Sequence, residues 1–487
     1  MHPNTRLFCL ASSRCRWSVP RAGASVVASG VLGLAGLMGL LGCQDLTGSQ
    51  ALPAGVNAPS YYYTPSGARG MYTAALYQVE QALPSYMADA GALTDELESA
   101  SDQASPGVQS AGSGYGPLDS RNLPTVPPYG SNSVHNLDND YSSLQGARGA
   151  IAQALGALAA YDTLKADTAT VKVRRGELYA LYGYVELLLA DLYCSGVPLS
   201  TFDFQGTFTY QAGSTTLQVY ADAVVKEDSA LVLADTSTQV LNLARVLKGR
   251  ALLAQGQYAQ AAQAVAAVPG GFQYQLAAQW GTFGSGAGQS SNLFLDDGLI
   301  LSDREGINGL PYLSSHDPRI ADTVTTTTVT GINFTFPAKY ESGVAFGSFA
   351  PFTVADWIEA RLIQAEGALH PGGAGGAAMV GLLNHLRDSA RVFGQTTALA
   401  DTTDPGTDTA EVSLLFRERA FWLYMTGHRQ GDLRRLIRQY GRPQEQVYPT
   451  GQYPGGGVLN FGSSVNVSIP GSEYINPKFT GCINRGA

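Results

Sequence analysis

Aromatic rings that escape the core are the residues of this chain best suited to binding chemistry. The sequence has four tryptophans, at positions 17, 280, 357 and 422. Trp17 lies in a basic N-terminal stretch, Trp357 in a helical pattern and Trp422 on an apolar helical stripe. Trp280 alone falls in a glycine-rich irregular segment, GGFQYQLAAQWGTFGSGAGQSSNLF. Tyr274 and Phe283 flank it, and Gln289 and Asn292 follow. Rings beside amides suit a sugar, whose C–H face stacks on the ring while its hydroxyls meet polar side chains; peptide side chains use the same geometry less selectively. The same rings serve equally well to anchor a long loop on a helical core. A second candidate surface is the Ser-, Gly- and Pro-rich insert 101–135, which carries Tyr115, Tyr129 and His135. Loops of that length are usually functional or disordered.

Catalytic and metal motifs are missing. The sequence has no GxSxG, HExxH or GxxxxGK[ST], and His135, His316, His370, His385 and His428 form no i,i+4 pair. Asp138-x-Asp140 begins like a calcium loop but lacks glycine at the sixth position, so it reads as a solvated loop. Asp296-Asp297 is a carboxylate pair, yet adjacency does not establish the separation a glycosidase needs. The expectation is a protein with no catalytic residue, no metal and no cofactor. A glycoside hydrolase stays as a remote alternative.

Charge concentrates in one place, FRERAFWLYMTGHRQGDLRRLIRQYGR, residues 416–442, with seven arginines against Glu418 and Asp432. On a helix, Leu415, Arg419, Trp422, Met425, Arg429, Leu433 and Leu436 advance by three or four and share a stripe. Arg419 and Arg429 are thus expected inside, each needing a carboxylate, because an unpaired buried charge is strongly disfavoured. Asp432 is the expected partner of Arg429, and Glu366 the candidate from elsewhere. Gly427 is expected to end one helix. Arg434, Arg435, Arg438 and Arg442 fall near a helix C-terminus, where cations favour the dipole.

These residues must be carried by a mostly helical chain. Apolar periodicity predicts helices from Ser66 (Met71, Ala75, Val79, Leu83) and over Arg174–Tyr193 (Leu178, Leu181, Val185, Leu189, Leu192). Gly256, Tyr258 and Ala261 match the small–aromatic–small contacts of a tetratricopeptide (TPR) repeat. Helices are also predicted over Phe352–Leu369 and Met379–Val392. Between them TVTTTTVTGINFTF reads as a β-hairpin about Gly331, part of a loop and β insertion near 270–350.

The N-terminus reads as an export signal: four arginines without an acid, then an apolar run from Val26 to Gly42. Leu40-Leu41-Gly42-Cys43 resembles the bacterial lipobox. It implies signal 1–42, an acylated Cys43, a tether over 43–65 and one domain over 66–487; an ordinary signal or uncleaved anchor is the alternative. Gln44, in place of aspartate, favours the outer membrane. Removing 1–42 takes away four arginines and no acid, so the formal charge of −9 becomes −13. An acidic exported protein is a poor nucleic-acid binder. Cys194 and Cys482 then remain, as one disulfide or as two buried thiols.

Several short motifs, in order, resemble SusD/RagB-like outer-membrane nutrient-binding lipoproteins. They are Gly196-Val197-Pro198-Leu199, Asp317-Pro318-Arg319, Lys339-Tyr340, Ala365-Glu366, Asn384 with Arg387, and Glu418-Arg419 through Gly427-x-Arg429 to Asp432-Leu433-x-Arg435. Ile469-Pro470, Glu473 and Asn476-Pro477 close the series, while Thr480-Gly481-Cys482 replaces the usual ending. The insert 101–135 carries no tryptophan, although starch-binding members often place one nearby. The resemblance implies a TPR-like helical scaffold whose loops carry an oligosaccharide or peptide. It also implies a SusC-like TonB-dependent transporter as partner and an outer-membrane lipid anchor. A TPR-type adaptor that binds another envelope protein is the rival reading.

Overall fold

The computed structural model describes residues 64–99, 115–123, 137–161, 168–234, 236–276, 299–320, 322–326, 333–337, 339, 351–391, 398–454 and 460–487. Cys43, Tyr129, His135, Trp280, Phe283, Asn292, Asp296, Asp297 and Gly331 lie outside them.

Helices set the architecture. α1 (Pro65–Leu93) is opened by Thr64, whose hydroxyl accepts from Gly67 N, with proline in the first turn. α2 (Gly116–Asp119) is a single turn. α3 (Leu137–Tyr161) and α4 (Thr168–Leu192) are long. α5 (Thr216–Leu233) starts with a reciprocal Thr215–Gln218 capping box. α6 (Thr238–Ala254), α7 (Tyr258–Val265), α8 (Trp357–Leu369), α9 (Gly376–Ser389), α10 (Asp408–Trp422) and α11 (Arg429–Arg438) follow. From α3 to α9 each helix packs on the next, α1 packs on α3 and α10 on α8. Such stacking of consecutive helical pairs is how TPR-like arrays bury their faces.

Close helix approaches rest on glycine. Gly183 of α4 faces α5 so tightly that a Cβ there would lie 2.3 Å from Glu227 Oε1 and 3.1 Å from Ala223 O. Gly256, with φ +75°, turns the chain between α6 and α7, and Ala261 is fully buried at their contact. The main core runs through α1 and α3–α7. A second core joins Leu362, Met379, Leu383, Leu415 and Trp422 across α8, α9 and α10.

Among the described residues the strands make two-stranded antiparallel ladders. β1 (Leu97–Ser99) pairs β7 (Leu299–Leu301), and β2 (Val197–Pro198) pairs β5 (Gly213–Ser214). β3 (Thr201–Phe202) pairs β4 (Phe208–Thr209), and β8 (Asp322–Thr326) pairs β9 (Asn333–Pro337), the ladder that TVTTTTVTGINFTF suggested. β6 (Gln273–Leu276) pairs β10 (Phe352–Asp356). Residues 352–356 are therefore a strand, not the start of a helix. α8 begins only after Asp356, whose carboxylate caps it by accepting from Glu359 N at 2.8 Å. Asp138 and Asp140 sit in the first turn of α3 rather than in a solvated loop.

The tail threads back through the helices. Cys194 N donates to Val467 O at 2.8 Å and Val467 N to Leu192 O at 2.9 Å. Cys194 and Cys482 are joined as a disulfide, spanning 288 positions.

Candidate functional site

The arginine-rich stretch is an internal frame. Leu415, Arg419, Trp422, Met425, Arg429, Leu433 and Leu436 are all buried, Glu366 supplies the carboxylate from elsewhere, and one pairing differs from expectation. Arg429 does not pair with Asp432; it grips Asp95, beyond the end of α1, with Nε–Oδ1 at 2.6 Å and Nη2–Oδ2 at 2.7 Å. Asp432 is taken by Arg419, at 2.8 and 2.9 Å, and by Arg435 at 2.7 Å. Glu366 binds both nitrogens of Arg435, while Arg419 Nη1 stands 4.0 Å from it. Arg429 opens α11 and turns back to α1, whereas Asp432 lies one turn deeper, where α10 meets α11.

Electrostatics follow from this crowding. Burial alone would raise the pKa of Asp432, but Arg419 and Arg435 outweigh it and hold the carboxyl well below its usual range. Glu359 behaves alike: burial pushes it up, yet Arg250 and His428 bring it down to about 2. Glu96 goes the other way, raised to about 7 by burial despite its bond from Met425 N and the nearby Arg429. Arg434 Nη1 donates to the carbonyls of Ala190 and Asp191 at 2.6 and 2.8 Å, closing the C-terminus of α4. Arg438 does the same to Ala254 at the end of α6. Arg435 and Arg438 lie in the last turn of α11 as expected, while Arg434 and Arg438 also satisfy the ends of other helices.

Other described motif residues are structural as well. Arg319 binds Asp317 and Glu418, and Arg387 reaches Glu418 at 2.6 Å. Lys339 Nζ donates to Tyr424 O. Glu473 accepts from Tyr141 OH, and Asn476 Nδ2 donates to Gln211 O.

Of the candidate ligand rings, two are described, and neither is a surface ring. Tyr274 is 5% exposed on β6, its hydroxyl donating to Glu177 at 2.6 Å, so it ties that strand to α4. Tyr115 is 1% exposed, packed where α2 begins. Tyr274 follows the strand period, since QYQL alternates exposed and buried positions and places tyrosine inward.

The two candidate segments nevertheless share a root. The first segment leaves the described structure after Ser99, and the second rejoins it at Leu299, the direct partner of Ser99 across β1–β7. Asp119, in the middle of the insert, accepts from Ser99 N and from Tyr453 OH, both at 2.7 Å. Burial and then the Asp119 carboxylate push the Glu305 carboxyl well above its usual range.

Sequence reasoning passed over one exposed aromatic group. TFDFQGTFTY, residues 201–210, alternates polar and aromatic residues around Gln205-Gly206, and β3 and β4 form in it. That alternation was the available signal.

No protein-family model matches the chain, and no curated protein is similar to it. Solved structures do match. One is a SusD superfamily protein of Bacteroides thetaiotaomicron VPI-5482, at TM-score 0.61 and 15% identity over 86% of this chain and 99% of that one. NanU of B. fragilis matches at TM-score 0.61 and 13% identity, over 90% of this chain and all of the other. A laminarin-binding SusD-like protein matches at TM-score 0.51 and 14% identity, over 86% and 99%. The helical array, the buried arginine frame and these full-length matches agree: the chain has the SusD-like fold.

Proposed function

We propose that this chain is a carbohydrate-binding protein of SusD type, held on the outer membrane through a lipid on Cys43. On this reading it captures a neutral oligosaccharide and hands it to a SusC-like TonB-dependent transporter. Fold likeness over nearly the whole of both chains carries the reading, and one of those structures is named for binding laminarin. The paired residues Ser99 and Leu299 support it, because the first candidate segment begins and the second ends at one β ladder. On this reading the role is binding rather than catalysis, with Asp95, Glu366 and Asp432 of the frame held by arginines.

A binding screen of the soluble chain lacking Cys43, against glycans and peptides, tests this. Trp280→Ala is expected to weaken glycan binding about tenfold, or about 1.4 kcal/mol, with the melting temperature unchanged. Unaltered affinity moves the site away from Trp280, and a chain that binds peptides but no glycan refutes the substrate class. Location has its own test: Cys43→Ala is expected to abolish fatty-acid labelling and partition with outer membranes.

A second reading, a protein adaptor, draws on α5. Leu217, Val225 and Val232 are 50%, 57% and 83% exposed, and a groove of about 420 Å³ runs between Val225 and Val232 of α5 and Arg175 and Tyr179 of α4. Exposed apolar surface of this kind marks contact sites. A transporter gene beside this one favours the first reading over the second.

A further inference from the structure

We infer that the hairpin over residues 201–210 is a second carbohydrate contact, taking the apolar face of a neutral saccharide on Phe202, Phe208 and Tyr210. This rests on the proposed function and adds a site to it.

The hairpin is built to show its rings. Phe202 stands opposite Phe208 in the β3–β4 register, so both side chains lie on one face, with Tyr210 two residues further along. The ring centroids are 6.2 Å apart for Phe202 and Phe208, and 4.6 Å for Phe208 and Tyr210. Phe208 is 52% exposed.

A two-stranded hairpin is marginal on its own, yet this one is fixed at both ends. Asp203 closes the turn by accepting from Thr207 N at 2.7 Å, and Gly206 adopts φ +88° there. Phe204 fills the space above Gly156 of α3, where a Cβ would lie 2.6 Å from Phe204 Cβ. At the base, Gln211 N donates to Ser200 Oγ at 3.1 Å, and Asn476 Nδ2 to Gln211 O at 2.9 Å. The platform is therefore ordered before anything binds, which lowers the entropy cost of binding.

The polar groups around the rings select the occupant. Thr201, Gln205, Thr207, Thr209 and Gln211 are exposed and offer hydroxyls and amides. Asp203, the only acid between residues 195 and 221, is engaged by the turn, and no lysine or arginine occurs between 195 and 225. An anionic lipid surface would call for basic residues, and an acidic glycan for at least one. Stacking rings with neutral hydrogen-bonding groups fit a neutral sugar chain.

The test is native affinity electrophoresis of the full mature chain through gels containing laminarin, xylan or starch. The wild type is expected to be retarded by at least one. Phe208→Ala with Tyr210→Ala is expected to weaken that retardation about tenfold at an unchanged melting temperature, and Phe208→Tyr to retain it. Equal retardation of wild type and double variant overturns the inference and leaves the proposed function standing. A wild type retarded by none of the three overturns both. If Phe208→Ala leaves retardation intact but prevents recovery of a bound protein, the occupant is a protein and the inference falls.

Discussion

Arg435 and Phe208 show opposite treatments of a large side chain. Arg435 is buried at the crossing of α8, α10 and α11, with Glu366 and Asp432 both bound to its guanidinium. Phe208 projects from a hairpin, over half exposed, with two other rings for company. In the first region Arg419, Arg429 and Arg435 are each bound by a carboxylate of the chain, and residue choice there is set by partners within the chain. In the second, the backbone is fixed but the side chains meet solvent. Rigid scaffolding and free chemistry are thus separated in space, an arrangement that lets a binding surface vary without dismantling the fold.

The contrast can be broken most severely at the frame. Arg429→Ala leaves Asp95 buried without its cation and is expected to cost about 3–5 kcal/mol. Chemical denaturation monitored by circular dichroism measures this, and a loss under about 1 kcal/mol would mean that the pair behaves as a surface pair.

Next in size is the disulfide. Reduction, or Cys482→Ser, is expected to cost about 2–4 kcal/mol, because the link closes a loop of 288 positions in the unfolded chain. Alkylation of both thiols in the unreduced mature protein would contradict the link.

The pH response follows from opposite shifts. Glu359, at about 2, has a folded value below its unfolded one, so its stabilisation is present above about 4.5 and lost as pH falls towards 2. Asp432 acts in the same sense. Glu96, at about 7, has a folded value above its unfolded one; its contribution is complete below about 4.5 and lost as pH rises through 7. Melting temperature is therefore expected to peak near the shared limit of about 4.5, and Glu96→Gln to flatten the fall between about 4.5 and 7. A wild-type profile still rising at pH 8 would reverse the sign assigned to Glu96.

Smallest of all should be the hairpin. Phe208→Ala is expected to change stability by less than about 0.5 kcal/mol, as for an exposed site. A loss of about 2 kcal/mol or more would show the ring to be packed, and the contrast with the frame would disappear.

Periodicity made much of the frame legible in the sequence. The three-and-four spacing from Leu415 to Leu436 placed Arg419 and Arg429 inside, where they are, because helical geometry is local. Partner choice was not legible. Asp95 lies 334 positions before Arg429, and nothing nearby distinguishes it from Asp432, which is closer in sequence but already bound twice. Residues 352–356 were read as helix because the strong pattern of α8 adjoins them; the β6 partner that draws them into a strand is about 80 residues away. Tyr274 was placed with Trp280 on grounds of composition, whereas the alternation of QYQL already turned it inward. Tyr115 failed for another reason: a polar insert can fold back, and α2 does, its Asp119 binding Ser99 N.

The most direct measurement is calorimetric titration of the soluble, Cys43-less chain with laminarin oligosaccharides and a panel of other neutral glycans. The account expects saturable binding to at least one of them, about tenfold weaker in Trp280→Ala with the melting temperature unchanged. No heat from any neutral glycan, alongside saturable binding of a peptide or a protein partner, would contradict it.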